Sequence, residues 1–201
     1  GVPSTKNAHP QDSGNSIFVV HNGIIENHEN LRKKLSKEGF KFKSDTDTEV
    51  ISHLVNLYKT KGYDFDSAVM RTIAELKGAY ALGIIDLENP DLVIGAREHS
   101  PLVVGEGIEE NFIASDVMAL SQVTNKFKFL QDGQIALIGS NKIQIMSKNG
   151  TAKKIPTQEI DSNSFTNDLA GYSHFMEKEI FEQPKALQDA LQGRVTSEGT
   201  Q

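Results

Sequence analysis

A change of texture at Gly78 limits what this chain can fold into. Before it, apolar residues recur at helical spacing. After it they come in short runs at 80–85, 92–94, 102–104, 112–114, 127–130, 134–138 and 143–146. Such runs read as strands, and Asn89-Pro90, Asp132-Gly133 and Asn149-Gly150 punctuate them as turns. A brief helix fits at 117–120. No regular alternation of strand and helix follows Gly78, which argues for mostly antiparallel sheet rather than a doubly wound parallel one.

The first part of the chain supplies the helices. Residues 17–20 form a buried strand ahead of Asn22-Gly23. Leu31 and Leu35 lie four apart in a charged background closed by Gly39, predicting a surface helix over 27–38. Thr46 and Glu49 have capping-box spacing, and Val50, Ile51, Leu54, Val55 and Tyr58 then repeat at helical period up to Gly62. A third helix spans 66–76 with Ala68, Val69, Ile73 and Leu76. The fold class is therefore α+β, with helices layered against antiparallel sheet.

The chain divides into a core over 1–150, a polar linker over 151–173 and a helical segment over 174–201. Phe175, Met176, Ile180 and Phe181 share one side of a helix, and Pro184 opens a second helix carrying Leu187 and Leu191. Residues 196–201 suggest no structure.

Composition excludes several classes. A net charge of -6 offers no electrostatic attraction to nucleic acid or an anionic membrane. No apolar run approaches the roughly 18–20 residues needed to span a bilayer, and no signal peptide opens the chain. The 201 residues contain no cysteine, hence no disulfide, thiolate metal site or thiol nucleophile. A cytoplasmic location is expected, and Gly1 in place of Met suggests a piece of something longer.

Two polar sites remain open to two readings each. Asn22-Gly23 reads as a tight hairpin turn, or as an oxyanion hole built from an Asn amide and a backbone N–H. Asp45 and Asp47 read as caps at a helix start, or as a carboxylate receiving a cationic substrate group. The six histidines lack partners at metal spacing, so no metal is expected. Ser100 and Ser115 lack the surroundings of a nucleophile elbow. Gly105 and Gly107 lack the rest of a dinucleotide loop.

Several segments in consistent order carry a resemblance. They are Asn7-Ala8-His9-Pro10, His21-Asn22-Gly23-Ile24-Ile25-Glu26-Asn27-His28 and Ser44-Asp45-Thr46-Asp47-Thr48-Glu49-Val50. Gly78-Ala79-Tyr80, Ser100-Pro101-Leu102-Val103, Ile113-Ala114-Ser115-Asp116 and Met176-Glu177-Lys178-Glu179-Ile180 follow. Together they are similar to the glutaminase part of the glucosamine-6-phosphate synthase family, from Gly1 to about Arg194. The first half is shared more loosely with other N-terminal-nucleophile amidotransferases, whereas 174–184 resembles the bridge toward a sugar-isomerase domain.

The resemblance implies an N-terminal-nucleophile hydrolase sandwich of four layers, two antiparallel sheets between helices. It implies L-glutamine as the ammonia source, and fructose 6-phosphate as the acceptor in an isomerase domain that also makes the homodimer. No cofactor is expected. Asn22 and Gly23 match the family's oxyanion-hole pair, and Asp47 matches the carboxylate that holds the substrate's α-ammonium group. The family's nucleophile is an N-terminal cysteine followed by an arginine- and tryptophan-containing substrate loop. Gly1 aligns after both, so the first strands and the attacking atom are expected to be missing and the chain to be inactive as written. A domain kept only for binding or assembly is the alternative.

Overall fold

The computed structural model describes residues 3–14, 16–160, 171–191, 195–196 and 199–200. Two compact units divide it at Ser162. The first is built on two antiparallel sheets. The larger has seven strands in the order β1-β2-β3-β4-β8-β9-β10: Gln11–Ser13, Ile17–Ile25, Gly78–Asp86, Val93–Glu98, Gln134–Ile138, Ile143–Ser147 and Ala152–Lys153. The smaller has the order β11-β7-β5-β6: Gln158–Glu159, Lys126–Phe129, Val103–Glu106 and Asn111–Ala114.

Helices α1 (His28–Lys37), α2 (Glu49–Thr60) and α3 (Phe65–Glu75) cover one face of the large sheet. Their apolar stripes meet alternate strand residues, so Leu35, Ile51, Leu54 and Val69 share one core with Ile17, Val19, Leu82, Ile84 and Ile94. Each such side chain, fully withdrawn from water, contributes roughly 1.5–3 kcal/mol. The opposite face is packed by the small sheet, where Ala81, Ala136, Ile138 and Ile145 meet Leu102, Val104 and Leu130. Outside the small sheet lies one turn of 3-10 helix, Val117–Leu120. A Cβ on Gly105 would stand 3.1 Å from Leu120 Cδ1, so a glycine lets this turn sit close.

The small sheet leaves part of its partner bare. Phe18, Val20, Ile85 and Leu87 line an apolar groove of about 450 Å³ that reaches Ile113 at the edge of the small sheet. Val20 is 47% exposed and Leu87 56%.

Several expectations change. The strand expected over 17–20 runs on to Ile25, pairing Asn22 with Ala81 and Gly23 with Tyr80. Asn22-Gly23 is therefore no hairpin turn, because a distant partner strand holds it extended. Glu49 does not complete a capping box; the N-cap of α2 is Thr48, which makes no side-chain cap. The sheets continue past 150, since Ala152–Lys153 pairs with β9 and Gln158–Glu159 with β7. Residues 161–170, the middle of the expected linker, lie outside the described residues.

Among the described residues of the second unit there is one helix, α4, Phe175–Leu191, with Pro184 inside it rather than at the start of another. The missing N–H of proline breaks one helix bond, and the flanking residues keep the helical path. Val195–Thr196 pairs with Gly199–Thr200, where no structure was expected. Phe175, Met176, Ile180, Phe181 and Leu187 are exposed. Among the described residues no helix is long and apolar enough to cross a membrane.

Candidate active site

The site lies at the Asn22–Ile25 end of β2. The edge strand β1 pairs with β2 only over Ile17–Val19, so the outer backbone groups of β2 are unpaired by strand beyond that point. The segment before α2 takes their place. Asp47 Oδ2 accepts the Ile25 N–H at 2.7 Å, which sets the carboxylate two residues from Gly23. Asp47 is thus not a helix cap; it stands in for a neighbouring strand.

Gly23 has φ +138°, and a Cβ there would sit 2.1 Å from the Ala79 carbonyl oxygen. Only glycine tolerates that approach. β2 keeps its alternation, with His21 and Ile25 buried and Asn22 and Ile24 exposed, and only Gly23 departs from it, on the buried phase yet open to a cavity.

Two cavities meet here. One of about 180 Å³ is lined by Asn22 together with Ala81, Gly83, Ile113 and Ser115. The other, about 470 Å³, is lined by Gly23, His28, Asp45, Thr46, Asp47 and Thr48. His9 and His21 belong to both walls. The three residues expected from sequence are therefore gathered around two shared imidazoles.

The polar frame is well connected. His21 Nδ1 lies 3.1 Å from Thr48 Oγ1, and His9 Nε2 lies 3.4 Å from the same hydroxyl. One hydroxyl proton can serve only one of the two rings, so at least one imidazole N–H donates to Thr48 Oγ1. His28 Nδ1 donates to the Ile25 carbonyl at 2.8 Å. Asn27 bridges the ends of β2 and β3, donating to Glu75 O at 2.8 Å and accepting from Lys77 N at 3.0 Å. Burial holds the His21 imidazole below its ordinary pKa, against the raising pull of Asp47, and His9 lowers it further. The exposed Asp45 carboxyl is lowered by its hydrogen bond to Lys6.

Sequence reasoning missed Thr48 and the His9–His21 pair as parts of the site. Their only signal was position, since His21 precedes Asn22 and Thr48 follows Asp47. Among the described residues no cluster of His, Asp or Glu is arranged to hold a metal ion. The arrangement offers two neutral donors, the Asn22 amide and the Gly23 N–H, beside an anionic acceptor. That pairing suits a substrate that develops negative charge at one end and carries a cation at the other. Ser115 shares the Asn22 cavity but makes no hydrogen bond to an imidazole among the described residues, so nothing there activates it.

Known proteins resemble this chain along most of its length. The isomerizing glutamine–fructose-6-phosphate aminotransferase of Shigella flexneri is 48% identical over 198 residues, which is 98% of this chain and 32% of that protein. Its counterpart in Escherichia coli (strain K12) matches with the same identity and coverage. The chain thus spans about a third of the length of these curated relatives. Among solved structures, a glutamine phosphoribosylpyrophosphate amidotransferase from B. subtilis superposes with a TM-score of 0.62 at 22% identity, over 72% of this chain and 32% of its own. That likeness speaks for the fold, which is the N-terminal-nucleophile type of the class II glutamine amidotransferases. A family model described as a glutamine amidotransferase domain matches residues 3–122, which include β2, the Asp47 segment and both cavities. By its sequence the chain belongs to the glutamine amidotransferase domain family.

Proposed function

We propose that this domain frees ammonia from L-glutamine, and that the protein it serves transfers that ammonia to fructose 6-phosphate, making glucosamine 6-phosphate. The observation that carries the reading is the meeting of Asn22, Gly23 and Asp47 around His9 and His21. Asn22 and Gly23 stabilise the oxyanion formed when the side-chain amide is attacked. Asp47 anchors the α-ammonium group. The attacking thiol has to come from outside these 201 residues, which hold no cysteine, so the chain by itself releases no glutamate. A cytoplasmic enzyme that dimerises through its sugar-isomerase part completes the proposal.

The test is a chimera in which this chain replaces the aligned segment of the E. coli relative. The chimera should hydrolyse glutamine. Asn22→Ala should lower its kcat by about 10²–10³ with little change in KM. Asp47→Asn should act mainly on KM. An unchanged kcat for Asn22→Ala refutes the oxyanion role. Stoichiometric glutamine binding by the isolated chain, with cooperative unfolding, would favour a non-catalytic binding module instead.

A further inference from the structure

Glu49 has no part in the chemistry above, yet the fold buries its carboxylate to 1% exposure. Oε1 accepts the Lys43 amide at 2.7 Å. Oε2 accepts both the amide and the hydroxyl of Ser44, each at 2.7 Å. Withdrawing a carboxylate from water is costly unless it is hydrogen-bonded in this way, and bonds to a charged acceptor are the stronger kind. His53 closes the other side. Its Nε2 stands 3.4 Å from Glu49 Oε1, its Nδ1 lies 2.8 Å from Ser13 Oγ, and Phe40 and Phe42 flank the ring. The carboxylate is thus enclosed by the segment it binds on one side and by His53 on the other.

Arg32 of α1 holds the same segment by its acceptors. Nη1 donates to the Ser44 carbonyl at 3.1 Å and Nη2 to the Thr46 carbonyl at 2.8 Å. The guanidinium also lies over the Phe42 ring, 4.2 Å from its centroid. The Lys43 and Ser44 donors are thus gathered by a buried anion and the Ser44 and Thr46 carbonyls by a cation, while the Asp45 amide donates to Asn7 Oδ1 and the Thr46 amide to Ser44 Oγ. Asp47 comes next in the chain, with its carboxylate on the Ile25 amide.

We propose that Glu49 and Arg32 are positioning residues: together they clamp residues 43–46 and so set the Asp47 carboxylate against the Gly23 end of β2. The functional meaning of the clamp rests on Asp47 being the ammonium anchor. Its geometry does not.

Hydrogen exchange at residue resolution, on the 201-residue chain, tests the geometry. Glu49→Gln puts an NH₂ group where only acceptors fit, so at least one of three donors loses its partner. The Ile25 amide and at least one of the Lys43 and Ser44 amides should then exchange at least about tenfold faster relative to Leu82 and Ile84, in the doubly flanked strand β3. Arg32→Lys keeps the charge but loses the fork, and it should release the Ile25 amide in the same selective way. This half-exposed position guards against a Glu49 variant that fails to fold. Uniform acceleration that includes Leu82 and Ile84 would reduce the pair to general stabilisers. That result, or an unchanged Ile25 amide in both variants, overturns the clamp.

Kinetics separate the clamp from the function it serves. In the active chimera, Glu49→Gln should raise KM for glutamine about tenfold and leave kcat within about twofold. A fall in kcat at constant KM would overturn the positioning role. A folded parent chimera with no glutaminase activity would instead count against the proposed function, and the exchange data would still decide the clamp.

Discussion

Gly23→Ala tests whether β2 is held against β3 as described. A Cβ at this position would lie 2.1 Å from Ala79 O and 2.9 Å from Ala79 C and Tyr80 Cα. A comfortable carbon–oxygen approach is roughly 3.3 Å, so a gap of about 1 Å must open. All three atoms are backbone at the start of β3, which is hydrogen-bonded to β2 along its length, so no side chain can simply turn away. Overpacking of this kind costs about 1–3 kcal/mol. Holding alanine at φ +138° adds about another 1–3 kcal/mol. Gly39 supplies the control, because it has φ +92° with nothing within 4 Å of a built Cβ. Gly39→Ala should therefore cost only the conformational part, about 1–2 kcal/mol. The expected difference is about 2 kcal/mol or more, which for a urea m-value near 2 kcal/mol/M moves the midpoint by about 1 M. Pulse proteolysis across a urea series reads this at protein concentrations low enough to avoid association. Equal midpoints for the two variants would refute the close contact between Gly23 and Ala79.

Two further outcomes follow from burial. His21 and His53 both have pKa values lowered from 6.5, with burial the largest cause. Above that pH both rings are neutral in folded and unfolded chains alike, and their contribution is fully present. As the pH falls from 6.5 toward the lowered folded values the unfolded chain binds more protons, so stability drops by up to about 1.4 kcal/mol per pH unit for each ring. Thermal unfolding between pH 7.5 and 5.5 should show this slope, and His53→Gln should shallow it; an unaltered slope would exclude His53 as a source. The bare apolar groove should also drive self-association. Changing Val20 and Ile85 together to Thr should slow aggregation in light scattering while leaving the far-ultraviolet spectrum unchanged, and equal aggregation would place the sticky surface elsewhere.

Much of this fold could be read locally. The seven short runs after Gly78 all became strands, because each carries its own β-forming residues and its own turn. The three helices of the first half were equally legible from their apolar period, and the boundaries of α1 and α3 moved by only a residue or so. The candidate site was legible only in part. Asn22, Gly23 and Asp47 were given their site roles by resemblance, while the residues alone favoured a turn and a cap.

What local sequence could not decide were the partners. Asn22-Gly23 has the chemistry of a turn, and it stays extended because Ala81 and Tyr80 of a strand nearly sixty positions later pair with it. Thr46 and Glu49 have the spacing of a capping box, yet Glu49 turns back to the Lys43 and Ser44 amides, where a buried carboxylate finds three donors instead of one. Asp47 looks like a helix-start acid, and it meets Ile25 only because β1 ends early and leaves the edge of β2 open. In each case the side-chain type was set by the sequence and its role by a contact distant along the chain. Local spacing reports what a residue is able to bond, and tertiary packing decides which of those bonds water is excluded from replacing.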